Sequence, residues 1–349
     1  MPLVRDGPYL LPAGDFWIDE TGATQVELRH VPTPLADQRG LGSSLRLYFF
    51  KAVLGFDKVN KLRLARFDAA GKAGYSTDGT VTAVKAANRV LVVIHGIIGD
   101  TRGLLEGMHA GGLTAGFDCV LAYDYENLST AIEQTARTFG QDLAAVGIGP
   151  DDGKHLTVLA HSMGGLVSRW LVEKEGGAAT VDHLVMCGTP NAGSPFGEIG
   201  KGRKILLALM TMGAAFNPPV CTAIAGALTA SAKLSSTLEQ MAPGSEFIAA
   251  LNGAGAGATR YTILAGDIAA YQPDDQAFFG GLLTKISRFA PLDLLFDHSA
   301  NDIAVKTHSI LLDDVLGDHP ATRVNVACHH LNYFSSPAGL AALRAVVWA

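Results

Sequence analysis

A serine between two small residues, where a predicted strand meets a predicted helix, constrains the fold of this chain most. The run Leu156–Ala160 is rich in β-forming side chains, and Ser162 follows it with Ala160 and Gly164 two residues to either side. A helical pattern of apolar side chains begins at Met163. This spacing is typical of a nucleophile elbow, a tight strand-to-helix turn that presents a serine above a sheet. A chance match is the alternative in a chain rich in Ala and Gly, but the flanking strand and helix favour the elbow.

Strands and helices alternate beyond about residue 85, which predicts an α/β fold with a mostly parallel sheet covered on both faces. We expect a β-rich extension over residues 1–85 and an α/β domain over 86–349, with a helical insertion at about 197–252. The predicted core strands are Val90–Ile94, Phe117–Tyr123, Leu156–Ala160, Val181–Cys187, Tyr261–Ala265 and Arg323–Ala327, and the longest predicted helices cover about 128–146 and 337–348.

Composition narrows the class of protein. The 349 residues are 48% hydrophobic and 17% charged, which is typical of a folded globular chain. The net charge is −6 and the sequence has no basic cluster, so we expect no nucleic-acid partner. The four cysteines are scattered without metal-ligand spacing, and we expect neither a metal nor a cofactor. Residues 1–12 lack the apolar core of a signal peptide, which favours a cytoplasmic location.

One stretch is long and apolar enough to be compared with a membrane span. Residues 205–232 contain no charged side chain, but Pro218 and Pro219 interrupt them near the middle. The stretch therefore predicts two short helices on a soluble protein. Their apolar surface requires a functional explanation.

A serine hydroxyl is a weak nucleophile near neutral pH and needs a base, which in turn needs an orienting acid. In the α/β-hydrolase arrangement the order along the chain is serine, acid, histidine. His329 and His330 follow the last predicted strand, and either could be the base. Asp267 and Asp302 precede that strand, and position alone does not decide between these two acids.

The loop after an early strand is the second place where chemistry is expected. His95, Gly96 and Ile97 follow a buried strand there, and the glycine allows the backbone to approach a substrate carbonyl. We expect the backbone N–H groups of Ile97 and Met163 to form an oxyanion hole.

Three motifs together resemble those of bacterial triacylglycerol lipases. They are His95–Ile97, Ala160–Gly165 and the run Gly188–Pro195, which reads Gly-Thr-Pro-Asn-Ala-Gly-Ser-Pro. The wider group they resemble includes lecithin:cholesterol acyltransferase and the GPI inositol-deacylases. The resemblance covers roughly residues 88–349, leaves the first quarter unexplained, and implies the α/β-hydrolase fold.

The resemblance also implies roles for particular residues. Ser162 corresponds to the nucleophile, Asp302 to the acid in preference to Asp267, and His330 to the base in preference to His329. It further implies that residues 205–232 lie in a lid, which would give their apolar surface transient contact with a lipid interface. A fixed helical cap that only completes the core is the alternative. Two departures are Ala160, where most members have glycine, and Asn332, where calcium-binding members have an aspartate; the second speaks against a structural calcium.

The leading interpretation is a serine hydrolase that cleaves carboxylic esters of apolar acyl groups and needs no cofactor. The substrate would be a small-molecule or lipid ester. An acyltransferase with the same three residues is the first alternative, since the two differ only in whether water reaches the acyl-enzyme. The second is a catalytically silent hydrolase fold that binds a partner through residues 1–85.

Overall fold

The computed structural model describes residues 61–97, 100–125, 130–197, 236–253, 255, 257–272, 276–287, 292–312 and 321–348, and four short strands that precede them. Those four strands form two antiparallel pairs, β1 with β2 and β3 with β4. Their bounds are Leu3–Asp6 (β1), Tyr9–Pro12 (β2), Phe16–Ile18 (β3) and Thr24–Val26 (β4).

The remaining eight strands form one sheet in the order β12-β11-β10-β9-β7-β8-β5-β6. Their bounds are Lys61–Phe67 (β5), Ala73–Ser76 (β6), Arg89–Ile94 (β7), Cys119–Asp124 (β8), His155–His161 (β9), His183–Cys187 (β10), Arg260–Gly266 (β11) and Ala321–Val326 (β12). The six strands from β12 to β8 are parallel, whereas β5 and β6 pair antiparallel. This mostly parallel sheet confirms the predicted α/β-hydrolase fold class.

Continuous apolar runs form the central strands because both faces of the sheet are covered. Along β7, Val90, Val92 and Ile94 belong to the apolar cluster on one face, and Leu91 and Val93 to the cluster on the other. All five side chains are fully buried. The core therefore lies on both sides of the sheet and holds its carboxyl-terminal edge rigid.

Helices fill the connections between these strands. Their bounds are Thr80–Ala86 (α1), Thr101–Ala110 (α2), Ile132–Ala145 (α3), Met163–Lys174 (α4), Ser236–Gln240 (α5), Glu246–Asn252 (α6), Gln276–Ser287 (α7), Leu292–Leu295 (α8), Thr307–Leu311 (α9) and Pro337–Val346 (α10), with short 3-10 turns at Leu113–Gly116, Gly177–Ala179 and Pro195–Gly197. In the described ranges, none of these helices is long and apolar enough to cross a membrane.

The sheet begins earlier in the chain than the predicted boundary between residues 85 and 86. Strand β5 pairs with β8, with Lys61 opposite Asp124, so residues 61–76 belong to the main sheet. The alternating apolar and charged side chains of Lys61–Arg66 are typical of a half-exposed strand. Leu62 and Leu64 are buried while Lys61 and Arg66 are exposed, as expected of an antiparallel strand near the end of a sheet.

The predicted lid lies mostly outside the described residues, since residues 198–235 are not among them. The last part of the predicted insertion, 236–252, contains α5 and α6. Phe247 of α6 stacks on Trp170 of α4, with ring centroids 5.1 Å apart. This end of the insertion is therefore packed on the helix that follows Ser162.

Candidate active site

Ser162 occupies a one-residue turn between β9, which ends at His161, and α4, which begins at Met163. Its backbone has φ 54° and ψ −128°, a region that non-glycine residues rarely adopt. The Ser162 N–H donates to the carbonyl of Cys187 at 2.9 Å, which ties the turn to the neighbouring strand β10. The turn has the strained geometry of a nucleophile elbow.

Two glycines allow the backbone to close around this turn. A Cβ on Gly96 would lie 3.1 Å from Ser162 Oγ and 2.6 Å from Ser162 Cβ, and the second distance is closer than real side chains approach. A Cβ on Gly164 would lie 2.4 Å from the His95 carbonyl oxygen. The loop after β7 and the start of α4 therefore touch each other beside the serine, and neither position accommodates a side chain without movement.

The loop after β7 is fixed by a buried histidine and a tyrosine. His95 Nδ1 lies 2.6 Å from the Gly96 carbonyl, and its Nε2 accepts the Tyr125 N–H at 3.2 Å. Nδ1 therefore carries the proton and donates it to Gly96. The Tyr125 hydroxyl donates to the His95 carbonyl at 2.9 Å, and the two rings stack with centroids 4.6 Å apart. Ile97 follows directly and is buried, beside the turn that carries Met163.

A fully buried carboxylate anchors the far side of the same loop. Asp124 accepts the N–H and the hydroxyl of Thr101, each at 2.9 Å, and forms an ion pair with Arg63. Its Oδ1 lies 3.6 Å from His95 Nε2. Asp124 has no role predicted from the sequence, although it directly follows the predicted strand Phe117–Tyr123 and is the last residue of β8.

His330 and Asp302 are brought together by the segments on either side of β12. His330 Nδ1 lies 2.8 Å from Asp302 Oδ2, and the His330 N–H donates to the Asp302 carbonyl at 2.8 Å. Asp302 is fully buried and His330 is 3% exposed. Two hydrogen bonds, one between the side chains and one between the backbones, join the pair. They fix the plane of the imidazole relative to the carboxylate.

The carboxylate of Asp302 is held ionised despite its burial. Burial alone would raise the pKa of Asp302, but the facing His330 and the N–H groups of Val305 and Ala304 outweigh it and hold the pKa below its usual value. These two N–H groups donate to Oδ1 at 2.8 and 3.0 Å. An anionic acid at this position favours the imidazole tautomer that has its proton on Nδ1.

His161, immediately before the serine, connects the elbow to this pair. Its Nε2 lies 2.8 Å from the His330 carbonyl, and the two rings are 4.8 Å apart. Burial lowers the pKa of His161 to about 3, so its Nε2–H donates as a neutral imidazole. Of the three residues chosen from the sequence, His330 and Asp302 therefore contact each other directly, and His330 is connected to Ser162 through its neighbour His161.

The two alternatives from the sequence lie elsewhere. The ring of His329 packs between Tyr271 and Phe279, with centroids 5.2 and 6.1 Å away, and burial lowers its pKa to about 3. Asp267 accepts the N–H of Ala269 at 2.9 Å and closes a local turn. Neither residue takes part in the contact between Asp302 and His330.

Strain at Ile303 marks the loop that carries the acid. This β-branched residue has φ 84°, and the side chain of Asn301 accepts its N–H at 2.9 Å. Ile303 is fully buried, so packing holds it in a conformation that β-branched residues avoid. Strained positions therefore lie both at the serine and directly beside Asp302.

The run Gly188–Pro195 joins the acid loop to the elbow. Ser194 Oγ donates to the Ala304 carbonyl at 2.7 Å, and Ser309 Oγ donates to the Gly193 carbonyl at 2.6 Å. Asn191 Nδ2 donates to the Ile310 carbonyl at 2.7 Å. The motif that carried the resemblance thus has a structural role, which is to hold the segment after Asp302 against the end of β10.

A buried cation, which was not predicted from the sequence, completes this connection. Arg169 of α4 is fully buried, forms a bidentate pair with Glu173 and donates to the side chains of Asn191 and Asn252. Tyr261 also donates to Glu173 at 2.8 Å. An arginine within a helix normally indicates a solvent-facing position, so no sequence signal distinguished it.

No sequence among curated proteins matches this chain. Among solved structures, the lipase BlEst2 of Bacillus licheniformis in its propeptide form is similar with a TM-score of 0.51 and 14% identity, over 84% of this chain and 54% of that one. The mature form of BlEst2 has a TM-score of 0.48 and 15% identity, over 83% of this chain and 98% of that one. Phospholipase PlaB from Legionella pneumophila has a TM-score of 0.41 and 17% identity, over 64% of this chain and 45% of that one.

The sheet order, the elbow and the similarity to the propeptide form of BlEst2 together show the α/β-hydrolase fold. Residues 57–347 match a family described as a domain of unknown function, DUF7379. The chain belongs to this family.

Proposed function

We propose that this protein hydrolyses carboxylic esters through a serine, histidine and aspartate triad. The observation that carries the proposal is the 2.8 Å contact between His330 Nδ1 and Asp302 Oδ2. His161 joins this pair to Ser162, the next residue, which lies in an elbow turn. A buried carboxylate and a buried imidazole in direct contact have no packing purpose that apolar side chains would not serve as well. Their connection to the elbow through His161 supports a catalytic role.

In the proposed reaction, Ser162 Oγ attacks the ester carbonyl while His330 Nε2 takes its proton. Asp302 stabilises the resulting imidazolium, and His330 then returns the proton to the departing alcohol. Water attacks the acyl-enzyme with His330 again as base, which releases the acid and restores the serine. Each proton taken by the imidazole is returned, so the cycle needs no co-reactant besides water.

The negative charge on the tetrahedral intermediate needs donors beside the serine. Met163 is the first residue of α4, and the first N–H groups of a helix have no partner within it. Ile97 follows Gly96, whose backbone lies against Ser162. We propose that the N–H groups of Met163 and Ile97 are these donors.

The proposed substrate is an ester with an apolar acyl group. The support comes from residues 205–232, which contain no charged side chain and fall between the run Gly188–Pro195 and β11. An apolar segment in that place is typical of a surface that covers or binds a lipid. On this basis we propose that longer acyl chains are cleaved better than acetyl.

The test is labelling with a fluorophosphonate probe together with hydrolysis of p-nitrophenyl esters. Ser162→Ala should abolish labelling and lower turnover by about a thousandfold or more, since only the oxyanion donors and substrate binding remain. Ser168→Ala is the matched control. Ser168 is a buried serine of α4, the helix that follows Ser162, and its hydroxyl donates to the Gly164 carbonyl at 2.8 Å. It should label normally. Equal labelling of wild type and Ser162→Ala would exclude the proposed nucleophile.

A further inference from the structure

Tyr333 lies three residues beyond His330, and its side chain is completely buried. Its hydroxyl is 2.9 Å from Asp302 Oδ2, the same oxygen that faces His330 Nδ1. The N–H of Gly266, at the end of β11, lies 2.6 Å from the Tyr333 oxygen. The hydroxyl is therefore held between a backbone donor and the carboxylate of the proposed triad.

The direction of each hydrogen bond follows from the groups involved. A backbone N–H can only donate, so the Tyr333 oxygen accepts from Gly266, and its own proton is directed to Asp302 Oδ2. Burial, and then the charge of Asp302, raise the pKa of Tyr333 well above its usual value. The phenol therefore keeps its proton wherever the protein is folded near neutral pH and remains a donor.

This donor fills the last acceptor position of the carboxylate. Asp302 Oδ1 accepts two N–H groups, from Ala304 and Val305, and Oδ2 accepts the donors of His330 and Tyr333. A carboxylate has about four such positions. Rotation of the Asp302 side chain would break at least two of the four bonds, so its plane is locked.

We propose that Tyr333 is a positioning residue that sets the proton affinity of His330 by sharing the negative charge of Asp302 Oδ2. The effect of Tyr333 on catalysis rests on the proposed function, whereas its effect on the proton affinity of His330 does not. A hydrogen bond to a carboxylate stabilises the charge on that oxygen. Less of that charge is then available to stabilise an imidazolium at His330, and the imidazole gives up its proton more readily.

Other titratable groups around the pair do not supply this effect. In the described part of the chain they are His161, His329, Cys187 and Cys328. Burial lowers the pKa of both histidines to about 3, and it raises the pKa of both thiols. All four are thus uncharged near neutral pH, and Tyr333 is the group that contacts the carboxylate oxygen facing His330.

The test is Tyr333→Phe, which keeps the ring that packs at 6.1 Å from His161 and removes only the hydroxyl. We expect the pKa of His330 to rise by about 0.5 to 1 unit, because Oδ2 is left with His330 as its only side-chain donor. The acid limb of kcat/KM should move to higher pH by the same amount. A fall in kcat of roughly tenfold, with KM unchanged, should accompany the lost orientation of the carboxylate.

The control is Tyr123→Phe on strand β8. Tyr123 is also fully buried, and its hydroxyl has no hydrogen-bond partner within the described residues. Removing that hydroxyl should leave the titration of His330 unchanged. A general effect of losing a buried phenol would instead appear in both variants.

The deciding measurement is an NMR titration of the His330 imidazole without substrate, with its signal assigned by comparison with His330→Gln. Global replacement of tyrosine by 3-fluorotyrosine gives a second test that does not depend on the folding of Tyr333→Phe. The more acidic fluorophenol donates more strongly, so the pKa of His330 should fall. An unchanged or opposite shift in either experiment would overturn the role of Tyr333. A protein that fails to hydrolyse esters would refute the proposed function and leave this titration unaffected.

Discussion

Gly96→Ala provides a stringent test of the proposed site, because it adds one methyl group at the contact between the loop after β7 and the turn that carries Ser162. The new Cβ would lie 2.6 Å from Ser162 Cβ and 3.2 Å from the His161 carbonyl oxygen. Ordinary contacts between carbon atoms are about 3.5–4.0 Å, so the loop or the serine must move by roughly 1 Å. Such a displacement separates the proposed oxyanion donor at Ile97 from the nucleophile.

A 1 Å misplacement costs about a hundredfold in rate, which is about 2.7 kcal/mol of activation free energy. Overpacking should also lower the free energy of unfolding by about 1–3 kcal/mol. The assays are kcat/KM for a p-nitrophenyl ester and the rate of fluorophosphonate labelling, with circular dichroism as the check on folding.

Gly103→Ala is the matched control for this substitution. Gly103 lies within α2, and no described heavy atom is within 4 Å of the position that its Cβ would take. The substitution should leave activity unchanged and raise stability by up to about 1 kcal/mol, since alanine favours a helix. If folded Gly96→Ala retained activity within threefold of wild type, the proposed coupling of the loop to the serine would be refuted.

The remaining predictions concern the histidine and aspartate pairs. His330→Ala should lower kcat nearly as much as loss of the serine, whereas His329→Ala should mainly lower the melting temperature. Steady-state kinetics and thermal unfolding separate the two effects. If His329→Ala lowered kcat more than His330→Ala, His329 would be the base. Asp302→Asn should reduce kcat by about 10⁴-fold through the wrong tautomer, and Asp267→Asn much less. Because the pKa of Asp302 lies below its usual value in the folded state, the stability it contributes is present above that usual value and is lost as the pH falls. The slope of Tm against pH below about 4 should therefore flatten in Asp302→Asn; an unchanged slope would contradict this.

Local patterns predicted those parts of the fold that depend on neighbours in sequence. The run from Val90 to Ile94 indicated a strand buried on both faces, and the structure places its side chains in both apolar clusters. The elbow at Ser162 was also predicted, because its small flanking residues and the strand before it are adjacent in the chain.

Contacts between distant segments were less predictable. The choice of Asp302 over Asp267 came from a resemblance, since both aspartates follow β11 and only the folded chain shows which one meets His330. Arg169 and Tyr333 were missed for a related reason. Each is a polar side chain whose burial depends on partners more than 20 residues away in the chain, such as Asn191 for Arg169 and Asp302 for Tyr333.

The position of β12 has a consequence for how the proposed activity would be lost on denaturation. Strand β12 is at the end of the sheet, pairs with β11, and leaves much of its surface in water. His330 follows it by four residues, whereas Ser162 follows β9 in the middle of the sheet. Edge strands open at a lower free-energy cost than central ones. Partial denaturation should therefore detach His330, the proposed base, while Ser162, the proposed nucleophile, stays in its elbow. Loss of the proposed activity would then precede loss of the fold and would measure the opening of a single strand.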